Sequence, residues 1–237
     1  MKQRAEEMLT VKITKVKLYA YDLHKMKEFY STQLGFSLIK NTDHYFTVAV
    51  GESTITFEKI PASVQKQYHF ALNIPCNLFQ QAKSWVKERA EILSSAEEDE
   101  VYFDTLKAFS CYFYDPEENI IELIARQEVN PKIDAMSFSS EHVLSIGEMN
   151  ITTDTIYLVA NTLKKYGIIP MNNNEICADS LTFMGSYEDG ANLLLGPSER
   201  IWYFSNKKAI VSPIVIEINN HLLLCLNEKA EFTITRL

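Results

Sequence analysis

QYHFALNIP at residues 67–75 and FYDPEENIIELI at residues 113–124 are the two stretches that decide the fold of this chain. Each has the pattern of a strand that carries one ionisable side chain among apolar neighbours. His69 stands near the start of the first stretch, and Glu122 follows an Asp-Pro turn in the second. Burying an ionisable group costs free energy unless a partner compensates it. Each stretch therefore predicts either a hydrogen-bonded structural residue or one ligand of a metal site.

Both stretches lie inside an internal repeat. Residues 13–60 predict a strand, a helix with Asp22 as its N-cap, and three further strands. Residues 68–125 predict the same order of elements. A repeat of this length indicates the architecture of the domain independently of the role of any single residue. The predicted fold class is α+β, built from βαβββ modules in tandem.

Three motifs, in this order, resemble the vicinal oxygen chelate superfamily. They are YAYDL at 19–23 with LGF at 34–36, HFAL at 69–72, and DP at 115–116 with NIIELI at 119–124. That superfamily includes glyoxalase I, extradiol dioxygenases, fosfomycin-resistance enzymes and bleomycin-resistance binding proteins. The resemblance covers roughly the first 127 residues and is specific for a fold rather than for one activity. It implies two modules whose sheets curl into an open barrel around a cavity, with a divalent metal on the inner face in catalytic members.

Strand alternation lists the inner face of this barrel independently of the family, because neighbouring side chains point to opposite faces. If Val16, Leu18 and Ala20 pack under the helices, the opposite face of the first strand points into the cavity. The same rule applied to the other strands gives candidate substrate-binding residues Lys15, Lys17, Tyr19, Thr56 and Asn73, together with the ionisable residues Glu58, His69 and Glu122.

The family's metal ligands come from the first and the last strand of each module. By that resemblance they fall on Lys15, Glu58, His69 and Glu122. One imidazole nitrogen and two carboxylates suit iron, manganese, zinc or nickel. Glu58 is also the candidate catalytic base if its carboxylate leaves the ion.

Lys15 departs from the family pattern, which usually has His, Gln or Glu at this position. A protonated ammonium cannot ligate a metal and repels a divalent ion. Two interpretations stay open: Lys15 turns to solvent and the other three residues hold a metal, or its charge replaces the ion and the pocket is metal-free. Lys15 and Lys17 together on the cavity wall favour an anionic ligand.

Composition excludes several classes of function. A net charge of -8 argues against nucleic acid and anionic membranes as partners. The charged N-terminal residues 1–7 lack the apolar region of a signal peptide, and no apolar run is long enough for a membrane span. The four cysteines are well separated and fit reduced thiols. The predicted location is cytoplasmic, and the predicted partner is a small-molecule ligand.

The chain divides into three predicted parts. Residues 1–127 form the paired modules with the candidate site, 128–141 form a polar linker, and 142–237 form a third βαβββ-like module with extra C-terminal strands. Gly147 matches the position of Lys15, so no metal site is predicted in the third module. Its role as structural module, lid or homodimer interface stays open, and the tail strands either complete a sheet or pair with another subunit.

The predicted function is action on a small oxygen-chelating or anionic substrate through a divalent metal, which would serve as a Lewis acid. The family's ring-cleaving dioxygenases usually use two His and one Glu. A single His in the ligand set therefore favours lyase, isomerase or thiol-transferase chemistry. The alternative is a metal-free binding or sequestration protein of the bleomycin-resistance type, with Lys15 in place of the metal.

Overall fold

A computed structural model describes residues 9–96 and 98–237, so the charged segment at residues 1–7 lies outside the described residues. Strands dominate it and join in one 14-stranded network, which confirms the α+β prediction. The helices are α1 (Leu23–Lys27), α2 (Phe79–Lys87) and α3 (Ile156–Lys164). The strands are β1 (Ile13–Ala20), β2 (Leu38–Asn41), β3 (Tyr45–Val50), β4 (Ser53–Lys59), β5 (His69–Asn73), β6 (Val101–Phe103), β7 (Ala108–Tyr114), β8 (Ile120–Arg126), β9 (Ser145–Thr152), β10 (Thr182–Met184), β11 (Asn192–Gly196), β12 (Ile214–Ile218), β13 (Leu222–Leu226) and β14 (Phe232–Arg236).

None of the helices in the described ranges is long and apolar enough to cross a membrane.

The first module follows its sequence pattern closely. The Asp22 carboxylate accepts hydrogen bonds from the backbone N–H groups of His24 and Lys25, both at 3.1 Å, and so caps α1. The helix continues as a π-helical turn, Glu28–Gln33, and buries Met26. On β1 the burial alternates, and the apolar face predicted from the sequence is the buried one. Local pattern therefore determines this part of the fold.

The pairing between modules differs from the prediction. Strand β1 pairs in parallel with β4 of its own module and antiparallel with β12 of the C-terminal tail. Strand β5 pairs in parallel with β8 and antiparallel with β9. Among the described strands, no ladder joins the first module directly to the second. The expectation that residues 1–127 alone enclose the cavity is therefore wrong.

The physical reason for this pairing lies in the edges of the central strands. β9 is buried along all but its first residue, and β12 along all but one. Strands that are buried to this extent need hydrogen-bonded neighbours on their edges. β5 and β1 supply those neighbours, so the second module pairs with the third and the first module pairs with the tail.

The C-terminal half keeps only part of the predicted module. It contains β9, α3, β10 and β11, and one of the three strands that follow the helix of a βαβββ module is absent from the described elements before the tail strands. Strands β12, β13 and β14 extend the sheet from β1. Of the two roles considered for the tail, completing a sheet is the one observed. The homodimer stays a prediction.

Candidate functional site

Three buried side chains converge on neighbouring strands of the second and third modules. His69 lies on β5, Glu122 on β8 and Glu148 on β9, and one ligand atom of each lies within 4.8 Å of the others. Ala71 stands opposite both glutamates in the two ladders, and His69 is two residues before it on the same face. The pleat of three adjacent strands therefore directs one imidazole and two carboxylates to a common point.

The hydrogen bond behind the imidazole fixes its orientation. Nδ1 of His69 lies 3.1 Å from the carbonyl oxygen of Ile120. Because a carbonyl only accepts, Nδ1 carries the hydrogen, and the lone pair of Nε2 faces the carboxylates, 3.5 Å from Oε2 of Glu122. Burial lowers the pKa of His69 to about 3. The ring is therefore neutral at physiological pH, which is the form that binds metals.

The two carboxyl groups are buried as well and interact with each other. Burial, followed by the charge of Glu148, raises the pKa of Glu122 to about 8. Burial also raises the pKa of Glu148, and Arg126 opposes that rise. Nη2 of the fully buried Arg126 donates to Oε1 of Glu148 at 2.6 Å. Glu148 is therefore the carboxyl group that is charged first.

This donor set fits a divalent transition metal. Ligand atoms that bind one zinc-sized ion at about 2.0–2.2 Å lie roughly 3–4 Å apart. The three side chains meet this spacing with little movement, since their ligand atoms already lie within 4.8 Å of one another. A neutral imidazole with two carboxylates matches the preference of iron, manganese, zinc and nickel. The charge of the ion would also stabilise the ionised form of Glu122.

The three residues of the cluster line a cavity of about 370 Å³ between the second and third modules. Such a volume holds a compound of one or two rings. Apart from the three candidate ligands and Arg200, the walls are apolar or aromatic and include Phe103, Leu106, Tyr112, Phe183 and Leu194. A substrate in the cavity would therefore meet charged or metal-binding groups at the cluster and at Arg200, and apolar or aromatic groups elsewhere.

A loop between β11 and β12 covers this cavity with aromatic rings, and we call residues 201–204 the aromatic loop. The ring of Trp202 lies 4.7 Å from that of His69, and the ring of Phe204 lies 5.9 Å from that of Tyr112. The hydroxyls of Tyr114 and Ser205, 2.6 Å apart, attach the loop to β7. The hydrophobic run at residues 201–204 forms a loop, and its rings form a wall of the site.

Glu58 and the lysines lie outside this cluster, which corrects three predictions. Oε2 of Glu58 is 3.2 Å from Nζ of Lys17, and Lys15 pairs with Glu217 at 3.0 Å. These residues lie on β1 and β4 of the first module and on β12 of the C-terminal tail. Glu58 is therefore not placed to be a ligand or base beside His69, and Lys15 is not placed to replace an ion there.

The other predicted substrate-binding residues have structural partners. The hydroxyls of Thr56 and Thr47 are 2.8 Å apart. Tyr19 on β1 lies opposite Glu58 on β4. Asn73 donates to Ser145 Oγ at 3.1 Å and to the carbonyl of Gly190 at 2.8 Å. The walls of the His69 cavity, as the described residues form them, include none of these three.

Glu148 is the site residue that the sequence analysis missed. It has the same signal as Glu122, an acid inside a strand predicted to be buried. The alignment of modules pointed instead to Gly147, which lies at an irregularity in the ladder between β5 and β9. A Cβ atom on Gly147 would lie 2.5 Å from Oδ1 of Asn73, so the side chain of Asn73 fills the space that a larger residue at position 147 would need.

Comparison with known proteins agrees with this architecture. The family model described as glyoxalase/bleomycin resistance protein/dioxygenase superfamily matches residues 12–123, and one described as toxoflavin-degrading enzyme matches residues 146–200. No curated protein matches the chain significantly in sequence.

Among solved structures, a putative dioxygenase from Bacillus subtilis is similar over 97% of this chain and 86% of its own, with 13% identity and a TM-score of 0.61. A glyoxalase I mutant from Zea mays is similar over 78% of this chain and 68% of its own, with 11% identity and a TM-score of 0.51. At these identities the likeness concerns the fold alone. The sequence match places residues 12–123 in the group of glyoxalase, bleomycin resistance and dioxygenase proteins, the vicinal oxygen chelate superfamily, and the fold of the whole chain is similar to that of the putative dioxygenase.

Proposed function

We propose that this protein is a metal-dependent enzyme that acts on a small, oxygen-chelating molecule in the cavity between its second and third modules. The observation that carries the proposal is the convergence of His69, Glu122 and Glu148, all buried, in the wall of that cavity. A divalent ion held there would supply Lewis-acid stabilisation to two neighbouring oxygens of a substrate.

The chain's own residues have separable roles in this proposal. Nε2 of His69 and one oxygen of each glutamate would hold the ion, and the carbonyl of Ile120 keeps the imidazole in the correct tautomer. Arg126 favours the ionised form of Glu148 through its buried ion pair, against the rise of the Glu148 pKa that burial causes. Because the pKa of Glu122 is near 8 before an ion binds, its carboxyl group can take up or release a proton close to neutral pH. Glu122 replaces Glu58 as the candidate base for the state in which its carboxylate has left the ion.

The two family matches support a site shared by two modules. The superfamily match at residues 12–123 includes His69 and Glu122, and the toxoflavin-degrading enzyme match at residues 146–200 includes Glu148. Degradation of toxoflavin is the activity that the name of the second family describes. With one imidazole and two carboxylates, we propose lyase, isomerase or transferase chemistry ahead of ring cleavage.

A metal-free binding protein is the second candidate function, and the charge of the cluster favours it. Near neutral pH, His69 is neutral, Glu122 retains a proton, and the charges of Glu148 and Arg126 cancel. The group is thus electrically balanced without an ion. Arg126, rather than Lys15, supplies the compensating charge.

Metal content decides between the two functions. We expect the purified, untagged protein to hold close to one equivalent of a divalent metal by plasma mass spectrometry. His69→Ala, Glu122→Gln and Glu148→Gln should each lose most of it, because each removes one of three ligands. Glu58→Gln is the matched control, since it changes a glutamate of the first module and should retain the metal.

Circular dichroism of each variant shows whether the fold persists. Metal that remains in all three site variants, or a wild type that takes up none after reconstitution, would contradict the enzyme proposal. The second result would favour the metal-free binding protein over the enzyme.

A further inference from the structure

Arg200 lines the cavity and has hydrogen-bond donors that no described residue uses. It lies between β11 and the aromatic loop and lines the cavity beside His69. Its Nη1 donates to the carbonyl of Ile201 at 3.2 Å. Nε and Nη2 are buried and have no hydrogen-bond partner within the described ranges. Buried donors of a charged group are costly when unpaired, so this arrangement needs an explanation.

The unused donors lie on one edge of the guanidinium. Nε–H and the neighbouring Nη2–H point in parallel, and this is the edge that receives the two oxygens of a carboxylate. The face of the group is occupied separately, because it stacks 4.1 Å from the ring of Trp202. Stacking holds the guanidinium against the ring and leaves the bidentate edge without a partner among the described residues.

The other cation near the cluster does not offer this edge to the cavity. Arg126 is ion-paired with Glu148 and is not among the residues that line the cavity. The charge of Arg200 also contributes to the lowered pKa of His69, which agrees with its facing the same space. Arg200 is therefore the cation that a ligand in the cavity would meet.

The walls indicate the shape of the ligand. The cavity that Arg200 and the candidate metal ligands share is also lined by aromatic rings, including Trp202, Phe204 and Phe103. Aromatic walls favour flat, conjugated groups that stack against them. A ligand of this shape could place oxygens at the cluster and an acidic group at Arg200.

We infer that Arg200 binds the carboxylate of the ligand and that the ligand is a flat aromatic or conjugated carboxylate. The inference rests on the proposed function for the choice of this cavity as the substrate site. The contact with Arg200 itself requires no metal. It replaces Lys15 and Lys17, which pair with Glu217 and Glu58 elsewhere, as the reason to expect an anionic ligand.

Two matched probes test the inference by titration calorimetry on the metal-loaded protein. 2,3-Dihydroxybenzoate carries two neighbouring hydroxyls and a carboxylate, and catechol carries the hydroxyls alone. We expect the wild type to bind the first about tenfold or more tightly than the second, since hydrogen bonds to charged groups are strong. Arg200→Met should abolish that ratio and leave the affinity for catechol unchanged.

The control is Lys208→Met, which removes the same charge from an exposed residue that pairs with Glu199 outside the cavity. It should keep the wild-type ratio. Equal affinities of the wild type for the two probes, including no detectable binding of either, would overturn the inference, as would an unchanged ratio in Arg200→Met.

A second pair of probes separates this inference from the metal proposal. If the protein holds no metal, benzoate and benzyl alcohol replace the first pair, because neither depends on chelation. A preference for benzoate that disappears in Arg200→Met would support the contact although the metal function had failed. Loss of both preferences in the wild type would reject the contact as well.

Discussion

Replacing Arg126 by methionine is expected to lower the free energy of unfolding by about 3–5 kcal/mol, because it leaves a buried carboxylate without its partner. The side chain of Arg126 is fully buried, and Nη2 donates to Glu148 at 2.6 Å. Urea unfolding at pH 8 measures the change. At that pH the carboxyl group of Glu148 is least able to avoid the cost of an unpaired buried charge by taking up a proton.

A double variant shows whether the cost comes from the isolated charge. Arg126→Met with Glu148→Leu removes both partners and should recover most of the stability, since apolar replacement of a whole buried pair is often neutral or stabilising. If the double variant is as unstable as the single one, the loss comes from packing and not from the charge of Glu148.

Lys17→Met provides the matched control at a half-exposed pair. The side chains of Lys17 and Glu58 are 33% and 39% exposed, and their nitrogen and oxygen are 3.2 Å apart. Solvent screens such a pair, so its removal should cost only about 0–1 kcal/mol. An equal cost at the two pairs would contradict the claim that burial makes the Arg126 pair different.

The sequence predicts those features that depend on neighbours along the chain. The alternation of side chains along a strand predicts the buried face of β1 and the positions of His69 and Glu122 on one face of their strands. The residue type at the start of α1 predicts the cap at Asp22. Each of these follows from one strand or one helix turn. The fold class follows as well, because the repeat of such units is visible in the sequence.

The composition of the site could not be predicted in the same way. It depends on which strand lies beside β5, and both β1 and β9 are apolar enough to be its neighbour. Only long-range pairing selects β9 and brings Glu148 to His69. Arg200 was missed for a related reason: a loop residue has no periodicity, and only the folded cavity reveals its unused donors.

The metal-free protein is expected to lose stability as the pH rises from about 6.5 to about 8. Burial and the charge of Glu148 raise the pKa of Glu122 from 4.5 to about 8. The folded state therefore keeps a proton that the unfolded state has already released. Since the unfolded state then binds fewer protons, the free energy of unfolding falls as pH rises, by at most about 1.4 kcal/mol per pH unit for one group.

His69 acts in the opposite direction but at lower pH. Its pKa is lowered from 6.5 to about 3, so between these values the unfolded state binds more protons and stability rises with pH. Asp115, whose pKa burial raises to about 6, contributes a decline that ends near pH 6. Above pH 6.5 the effect of His69 fades as the imidazole of the unfolded chain loses its proton, and the decline due to Glu122 remains.

Denaturant unfolding at four pH values between 6.5 and 8 measures this decline, for which we expect a total of about 2 kcal/mol or less. Glu122→Gln removes the titrating group and should flatten the profile. Saturating divalent metal should flatten it in the wild type as well, because the ion takes the place of the proton on Glu122. Equal slopes in wild type and Glu122→Gln would show that Glu122 is ionised in the folded protein at neutral pH. In that case Glu122 would not be a proton acceptor whose pKa lies near 8.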